Sequence, residues 1–315
     1  MQGLKTVFMF SGQGSQYFQM GKALFETNGV FRMHMQRLDD TVRQSTDRSV
    51  LASLYAPANR ISVPFEQTSL SHPAILMFEY SLAQALMSAG VVPDLVLGAS
   101  LGSFAAAAVA GALSIDDAMS TVLAHARAME ARCRPGGMIA ILADVSLYEQ
   151  PFLRTNADLA AVNFHSHFIV SAPHETCKDI ENELNRRDIV YQRIPVSFAF
   201  HSRWVDDAHD TFEALTRHVR TAPARLPIAC CDLATTITEL RSDHAWAVTR
   251  HPIRLPETIA GLEARGIYRY IDVGPSGTLA TFLKYLLPGT TRSTAHTLLT
   301  PYGKDTTNWE RLVPS

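Results

Sequence analysis

The pentapeptide Gly-Ala-Ser-Leu-Gly at residues 98–102 constrains this chain more than any other feature. An apolar stretch over residues 93–98 precedes it and an alanine-rich stretch over residues 104–112 follows, which predicts a strand, a tight turn and a helix. In such a turn the glycines allow close backbone approach and the central side chain projects from the sheet edge. Ser100 is therefore a candidate nucleophile, with the Leu101 amide facing a developing oxyanion. The alternative is a structural Gly-Ser turn without chemistry.

Strand and helix patterns alternate along most of the chain. Apolar runs at residues 6–10 and 267–273 predict buried strands, each followed by a glycine-containing turn. Helical spacing covers residues 20–38 and 74–89, with Pro73 suited to a helix start, and Ser114 begins a capping-box pattern for a helix ending near Cys133. The alternation predicts an α/β fold with a mainly parallel sheet and a site at the carboxyl ends of its strands.

The pattern changes at Arg-Pro-Gly-Gly, residues 134–137, which predicts a boundary. Beyond it, strand-like runs at residues 138–142, 168–171 and 190–195 accompany a helical segment at residues 177–187. These short elements predict a small α+β subdomain inserted into a larger body. The body resumes near residue 196, and a further helix is expected over residues 250–265.

Composition excludes several classes of protein. The 315 residues are 47% hydrophobic and 18% charged, which is typical of a globular chain rather than a disordered one. A net charge of −2 without long charge runs argues against nucleic-acid binding. We expect no membrane span, no signal peptide and a cytoplasmic location. The cysteines show no zinc or disulfide spacing, in keeping with a reducing compartment; they are Cys133, Cys177, Cys230 and Cys231.

A nucleophilic serine needs a general base, and His201 is the candidate among twelve histidines. It lies in Ser-Phe-Ala-Phe-His-Ser after an apolar stretch, where a lone histidine is more often structural. His165 and His167 lie close enough in sequence to contact one metal ion, but no third ligand is apparent. We therefore expect no metal site.

Five motifs occur in order along the chain: Ser-Gly-Gln-Gly-Ser-Gln at 11–16, the pentapeptide at 98–102, Phe-His-Ser at 200–202, His-Pro-Ile at 251–253 and Asp-Val-Gly-Pro at 272–275. Together they resemble the malonyl-CoA:acyl-carrier-protein transacylase family, which includes polyketide synthase acyltransferase domains. The resemblance extends over about residues 6–287. It implies an α/β-hydrolase-like body formed by residues 1–134 and 197–315, with a ferredoxin-like subdomain at residues 135–196.

The resemblance also implies a ping-pong mechanism of acyl transfer. Ser100 matches the family's nucleophile and His201 its general base, while Gln13 and Leu101 match the oxyanion hole. The backbone carbonyl of His251 matches the group that orients the histidine, so no third acid is expected. The implied substrates are acyl groups on the phosphopantetheine of an acyl carrier protein or of coenzyme A, with no bound cofactor. The implied protein is a monomer whose partners are carrier-protein domains.

Three departures from the family pattern bear on the acyl group. Family members have Gly-His-Ser-Leu-Gly-Glu where this chain has Ala99 and Ser103, and Thr-Gln-Pro-Ala where it has His72. His125 replaces the helix arginine with which family members grip the free carboxylate of a malonyl group. Histidine is close to neutral at pH 7 and copies a forked guanidinium poorly, so a buried carboxylate would lack its partner.

We therefore expect a pocket for acyl groups without a distal carboxylate, such as acetyl. Phe198 points the same way, since malonyl-selective domains tend to have histidine there. The expected pocket residues are Ala99, His125, Phe198, Phe200, His72 and Asn163. The alternative is a protonated His125 that still binds a carboxylate.

Several functions fit these residues. The favoured one is a free-standing acyl hydrolase that removes simple acyl groups from carrier proteins of polyketide synthases lacking their own acyltransferase. A trans-acting acyltransferase that loads malonyl or a monocarboxylic starter would use the same serine and histidine. A catalytically silent docking protein is the alternative from another class. A generic lipase or esterase would place an Asp or Glu between serine and histidine in chain order.

Overall fold

The computed structural model describes residues 4–303 and 305–313, so parts of the expected body (residues 1–3, 304, 314 and 315) lie outside the described residues. The first part of the body precedes the predicted boundary. Its elements are β1 (Lys5–Phe10), α1 (Lys22–Thr27), α2 (Gly29–Thr46), α3 (Val50–Leu54), α4 (Thr68–Ser88), β2 (Leu95–Gly98), α5 (Gly102–Ala110) and α6 (Ile115–Arg132).

An insert follows, and then the second part of the body. The insert contains β3 (Gly136–Ile141), α7 (Pro151–Arg154), β4 (Asp158–Phe164), β5 (His167–Pro173), α8 (His174–Arg186) and β6 (Tyr191–Arg193). The rest of the body contains α9 (His209–Thr216), β7 (Ile228–Cys230), β8 (Thr235–Ile237), α10 (His244–Arg250), α11 (Leu255–Glu263), β9 (Tyr268–Asp272), α12 (Thr278–Leu286), β10 (Thr294–Thr297) and α13 (Asp305–Leu312).

The body is organised around a six-stranded sheet in the order β10-β9-β1-β2-β7-β8. All neighbouring pairs are parallel except β7 with β8. The central strands β1 and β2 are buried almost throughout, as is usual where helices cover both faces of a parallel sheet. Phe10 pairs with Gly98, so both strands end together and the two following loops lie side by side.

The insert has the β-α-β-β-α-β connectivity of a ferredoxin-like unit. Its four-stranded antiparallel sheet has the order β4-β5-β3-β6. Helices α7 and α8 contribute Leu153 and Leu184 to a separate apolar core with Ile139 and Phe168 of the sheet. The insert's sheet runs from residue 136 to residue 193, compared with the expected 135–196.

Some helix boundaries differ from the sequence predictions. Pro73 lies inside α4, which begins at Thr68, so it does not start the helix. The helix predicted over residues 20–38 is two helices, since Asn28 ends α1 and its side chain caps α2 by accepting the Phe31 amide. The helix predicted over residues 250–265 begins only at Leu255.

The strands β7, β8 and β10 were not predicted because each has only three or four residues, too few to show a periodicity. The seven-residue β4 was not predicted either. Across residues 4–303 and 305–313, none of the helices combines the length and the apolar character needed to cross a bilayer.

The glycines around Ser100 are required by packing. A Cβ on Gly102 would overlap the carbonyl group of Phe10 at the end of β1, and one on Gly98 would overlap the backbone of Ser103. A Cβ on Gly12 would lie 2.7 Å from that of Ser100. The first turn of α5 therefore sits directly against the end of β1.

This contact predicts a difference between two glycine substitutions. Gly102→Ala should lower the free energy of unfolding by about 1–3 kcal/mol because strand and helix must separate. The matched control is Gly261→Ala in α11, where a Cβ meets nothing within 4 Å and alanine should stabilise by about 0.5–1 kcal/mol. Urea denaturation of both variants measures this, and equal effects would contradict the packing account.

Candidate active site

Ser100 occupies the turn between β2 and α5 with a backbone φ of 54°. A left-handed conformation is costly for a residue with a side chain, and such positions concentrate at functional sites. The turn is fixed by hydrogen bonds from the Gly102 amide to the Ala99 carbonyl and from the Ser103 amide to the Ser100 carbonyl. The hydroxyl of Ser100 is thereby held at the carboxyl edge of the sheet.

His201 lies within hydrogen-bonding distance of Ser100. Its Nε2 is 2.7 Å from Ser100 Oγ, and its Nδ1 is 2.7 Å from the backbone carbonyl oxygen of His251. A carbonyl oxygen can only accept, so Nδ1 carries the proton and Nε2 has a free lone pair directed at the serine. The backbone of His201 also has a positive φ, 58°, and its amide donates to the Thr249 carbonyl.

Burial keeps His201 neutral. The residue is 2% exposed, and desolvation lowers its pKa to about 4, with the His251 carbonyl and the charge of Asp232 opposing that shift. A neutral imidazole at pH 7 can accept the serine proton, which is the role of a general base. The predicted pair of Ser100 and His201 is therefore brought together in a form suited to nucleophilic chemistry.

The loop at residues 11–16 lies beside Ser100, as the register of β1 and β2 requires. A fully buried carboxyl group anchors it, because Glu79 Oε1 accepts the Ser11 amide at 2.6 Å and the Ser11 hydroxyl at 2.9 Å. Burial raises the pKa of Glu79 well above its usual value, which favours the protonated acid there. Gln13 of this loop faces the same cavity as Ser100.

The Leu101 amide is at the N-terminus of α5, next to the nucleophile. Among the described residues, the Leu101 amide donates no hydrogen bond to a backbone carbonyl outside helices and strands. A free amide in this place has the character of an oxyanion-hole donor.

Ser100 and His201 open into a cavity of about 320 Å³ between the body and the insert. The insert's sheet forms one wall, and the ends of the body's strands with their following loops form the other. Among the described residues, the lining includes no lysine, arginine, aspartate or glutamate; it consists of Ser11, Gly12, Gln13, Gly14, Ser15, Ala99, Ser100, Met138, Ala140, Asn163, His167, Ile169, Gln192, Ile194, Pro195, Phe200, His201, Ile253, Leu255, Ser276, Thr278, Leu279 and Phe282.

Three of the six expected pocket residues line this cavity, namely Ala99, Phe200 and Asn163. Asn163 Nδ2 also contacts the ring of His167, 2.9 Å from its Nδ1.

The other three expected pocket residues, His72, His125 and Phe198, are not part of the lining, and this corrects the expectation. His125 on α6 is fully buried behind Phe200, with 5.8 Å between ring centroids. Phe198 is packed in an apolar cluster with Val196. The sequence places them near the pocket, but Phe200 occupies the space between His125 and the cavity.

His72 and His125 form a buried polar chain that ends at Gln13 of the loop at residues 11–16. His72 Nε2 lies 2.9 Å from Gln13 Oε1, and the two histidines approach with 3.4 Å between their Nδ1 atoms. An amide oxygen only accepts, so His72 Nε2 carries a proton and its Nδ1 accepts from His125. His125 therefore contributes to holding Gln13.

Neither His72 nor His125 carries a charge at pH 7. Burial lowers the pKa of His125 to about 3, and burial together with His125 lowers that of His72 well below its usual value. A protonated His125 that binds a carboxylate, the alternative left open by the sequence, is therefore disfavoured.

Several cavity residues had no signal in the sequence. Met138, Ile169 and Phe282 come from separate elements of the insert and the body, so only the folded chain brings them together. Phe164 stacks on Tyr285 with 4.2 Å between ring centroids, which joins the β4–β5 hairpin to α12.

The side chains of His165 and His167 do not face a common site. His165 lies 3.0 Å from Asp144 on the surface, whereas His167 faces the cavity. Within the described ranges, no cluster of three or more potential metal ligands is present.

Comparison with known proteins places the chain in a family. The model of the "Acyl transferase domain" family matches residues 7–313. The chain belongs to the acyltransferase domain family. This confirms the resemblance based on five motifs, and membership supports the expectation that the chain is an enzyme.

Two bacterial proteins match this chain along nearly their whole length. The "Polyketide biosynthesis acyltransferase homolog BaeD" of Bacillus velezensis is 43% identical over 310 residues, covering 98% of this chain and 96% of that protein. The homolog PksD of Bacillus subtilis is 38% identical over 303 residues, covering 96% of this chain and 94% of that protein.

Solved structures of acyltransferases share the fold. The loading acyltransferase of the avermectin polyketide synthase superposes with a TM-score of 0.88 at 23% identity, covering 97% of this chain and 98% of that one. MCAT from Streptococcus pneumoniae gives a TM-score of 0.78 at 22% identity, covering 98% and 99%. The predicted fold class, a parallel-sheet α/β body with a small α+β insert, is confirmed.

The buried neutral histidine at position 125 predicts a pH-dependent stability difference. In the unfolded chain His125 becomes protonated below about pH 6.5, whereas in the folded protein its pKa is about 3. Between these pH values the unfolded state binds one more proton, so the free energy of unfolding decreases as the pH falls. The free energy of unfolding of His125→Phe, relative to that of the parent, should therefore rise by about 1.4 kcal/mol for each pH unit below 6.5. Urea denaturation of both proteins at pH 7, 6 and 5 measures the difference, in which the contributions of Glu79 and Asp272 cancel. A difference that does not change with pH would contradict a neutral His125.

Proposed function

We propose that this chain is a serine acyl-enzyme of polyketide biosynthesis, which hydrolyses simple acyl thioesters carried by acyl carrier proteins. The names of the two Bacillus relatives support the biosynthetic setting and the acyl-transfer chemistry. The distance of 2.7 Å between Ser100 Oγ and His201 Nε2 supports the acyl-enzyme.

The first half-reaction forms an ester on Ser100. The serine oxygen attacks the thioester carbonyl carbon while His201 Nε2 takes the hydroxyl proton. The resulting oxyanion is placed near the Leu101 amide and the loop that carries Gln13. When the intermediate collapses, the C–S bond breaks and the phosphopantetheine thiolate receives the proton from His201.

The second half-reaction releases the acyl group. Water attacks the ester carbonyl, His201 accepts a proton from that water, and the proton then passes to the departing Ser100 oxygen. The products are the free carboxylic acid and the original enzyme. A carrier thiol in place of water would instead complete a transfer.

The uncharged cavity is the observation that carries the substrate assignment. Among the described residues, the lining holds no cation to pair with a distal carboxylate, and desolvating such a group without a partner costs several kcal/mol. Acetyl and similar groups carry no such penalty. The same observation argues against malonyl transfer.

The second candidate is a trans-acting acyltransferase that uses a coenzyme A or carrier thioester. The word acyltransferase in the names of both relatives favours it. A monocarboxylic acyl group would fit the uncharged cavity in this case as well. The silent docking protein is the weakest candidate, because His201 and Ser100 are held in reacting geometry.

One assay separates these functions. Purified protein is given acetyl-carrier protein, with and without an unacylated carrier as acceptor, and intact mass follows Ser100 acylation, free carrier and transfer. We expect acetate release without an acceptor, and release that is lowered at least about 10²-fold by His201→Ala and abolished by Ser100→Ala. Transfer that outpaces release by tenfold would favour the acyltransferase, and turnover by Ser100→Ala would exclude the acyl-enzyme.

A second test restores a cation to the pocket. Phe200 separates position 125 from the cavity, so we compare His125→Arg/Phe200→Ala with Phe200→Ala alone. The added guanidinium should raise the malonyl-to-acetyl ratio of kcat/KM at least about tenfold, which is about 1.4 kcal/mol of discrimination. An unchanged ratio would show that the missing arginine does not set acyl selectivity.

A further inference from the structure

The carbonyl that orients His201 belongs to a residue whose own side chain is held by an acid. His251 Nδ1 lies 2.7 Å from Oδ1 of Asp232, which follows β7 at the carboxyl edge of the sheet. The Asp232 side chain is 4% exposed, whereas that of His251 is 47% exposed. Contacts of 2.7 Å thus run in series from Ser100 through His201 and His251 to a nearly buried carboxylate.

The segment that carries the carbonyl is extended and tied at several points. His251 has φ −82° and ψ 156°, directly after α10, and Pro252 follows. The Ile253 amide donates to the Ala160 carbonyl and the Arg254 amide to the Cys231 carbonyl, next to Asp232. The bond between Asp232 and the His251 ring adds a tie at the residue whose carbonyl contacts His201.

The charge on Asp232 is only partly compensated. Arg241 approaches Asp232 Oδ2 at 3.5 Å, but its guanidinium is already hydrogen-bonded to both carboxylate oxygens of Asp243, at 2.8 and 3.0 Å. Among the described residues, Asp232 Oδ2 has no hydrogen-bond partner. His244, also near Asp232, is kept neutral because burial lowers its pKa to about 4.

We propose that Asp232 is a positioning residue for the catalytic base: acting through the His251 ring, it fixes the carbonyl that orients His201 and places a buried negative charge behind the imidazolium that forms. This rests on the proposed acyl-enzyme function. The usual third acid of a serine hydrolase is thus replaced by a carbonyl whose position depends on an acid one residue further away.

The negative charge of Asp232 acts on the proton affinity of His201 in the opposite direction to the other charged groups around it. Arg250 on α10 and the His251 ring lower its proton affinity, whereas Asp232 raises it. His125 on α6 also faces it but is neutral. Arg250 is paired with Asp206, which limits its effect. Removing the charge at position 232 should therefore make His201 harder to protonate.

The test measures Ser100 acylation by acetyl-carrier protein in single turnovers from pH 3.5 to 8. Asp232→Ala should lower the plateau rate about tenfold, with little change in the carrier concentration at half-saturation, and move the acid-limb midpoint to lower pH. Asp232→Asn keeps an acceptor for His251 but no charge, so it should recover part of the rate and show the same shift. The control is Asp116→Ala, which removes an exposed acid paired with Arg37 and leaves the partners of Asp232 in place, so its rate should stay within twofold of the parent.

Two results would overturn the proposal. One is a plateau rate for Asp232→Ala within twofold of the Asp116→Ala control. The other is a lower rate with an unmoved acid limb, which would assign Asp232 a structural role only. Either result, obtained while the parent protein still forms the Ser100 ester and Ser100→Ala does not, would leave the proposed function intact.

Discussion

The contact of the first turn of α5 with the end of β1 is the constraint on which the site depends. Gly102 leaves room for the Phe10 carbonyl, and Gly12 leaves room for Ser100, so strand, loop and helix meet without intervening side chains. The pairing of Phe10 with Gly98 then puts the loop at residues 11–16 beside the nucleophile. A residue with a side chain at either glycine would separate the serine from the groups that surround it.

Burial sets the protonation states within this frame. It keeps His201, His72 and His125 neutral and favours the protonated form of Glu79. The base can therefore accept a proton at neutral pH, while the loop that carries Gln13 is held by uncharged hydrogen bonds. Asp232 is the acid that raises the pKa of His201, and the His251 residue lies between the two. Among the described residues, the cavity lining provides no lysine or arginine to pair with a distal carboxylate of the acyl group.

The sequence was informative where local rules decide the structure. The pentapeptide around Ser100 needs only a strand, two glycines and a helix, and residues 134–137 mark a real change of sheet. It was less informative where distant segments meet. His72 and His125 are 53 residues apart, and nothing local shows that Phe200 closes them off from the cavity. Asp232 and His251 are 19 residues apart and only the folded chain brings them together, so the acid had no sequence signal. Pro73 was misplaced because the packing of α4 outweighs the local preference of proline for a helix start.

The central claim is that an uncharged cavity around Ser100 selects acyl groups without a distal carboxylate. The most direct measurement is a competition in which the protein meets equimolar acetyl- and malonyl-carrier protein and is quenched within the first turnover, with the mass of the Ser100 ester read by intact-protein mass spectrometry. The account predicts that the acetyl ester exceeds the malonyl ester at least about tenfold, corresponding to about 1.4 kcal/mol. A malonyl ester that equals or exceeds the acetyl ester would contradict it.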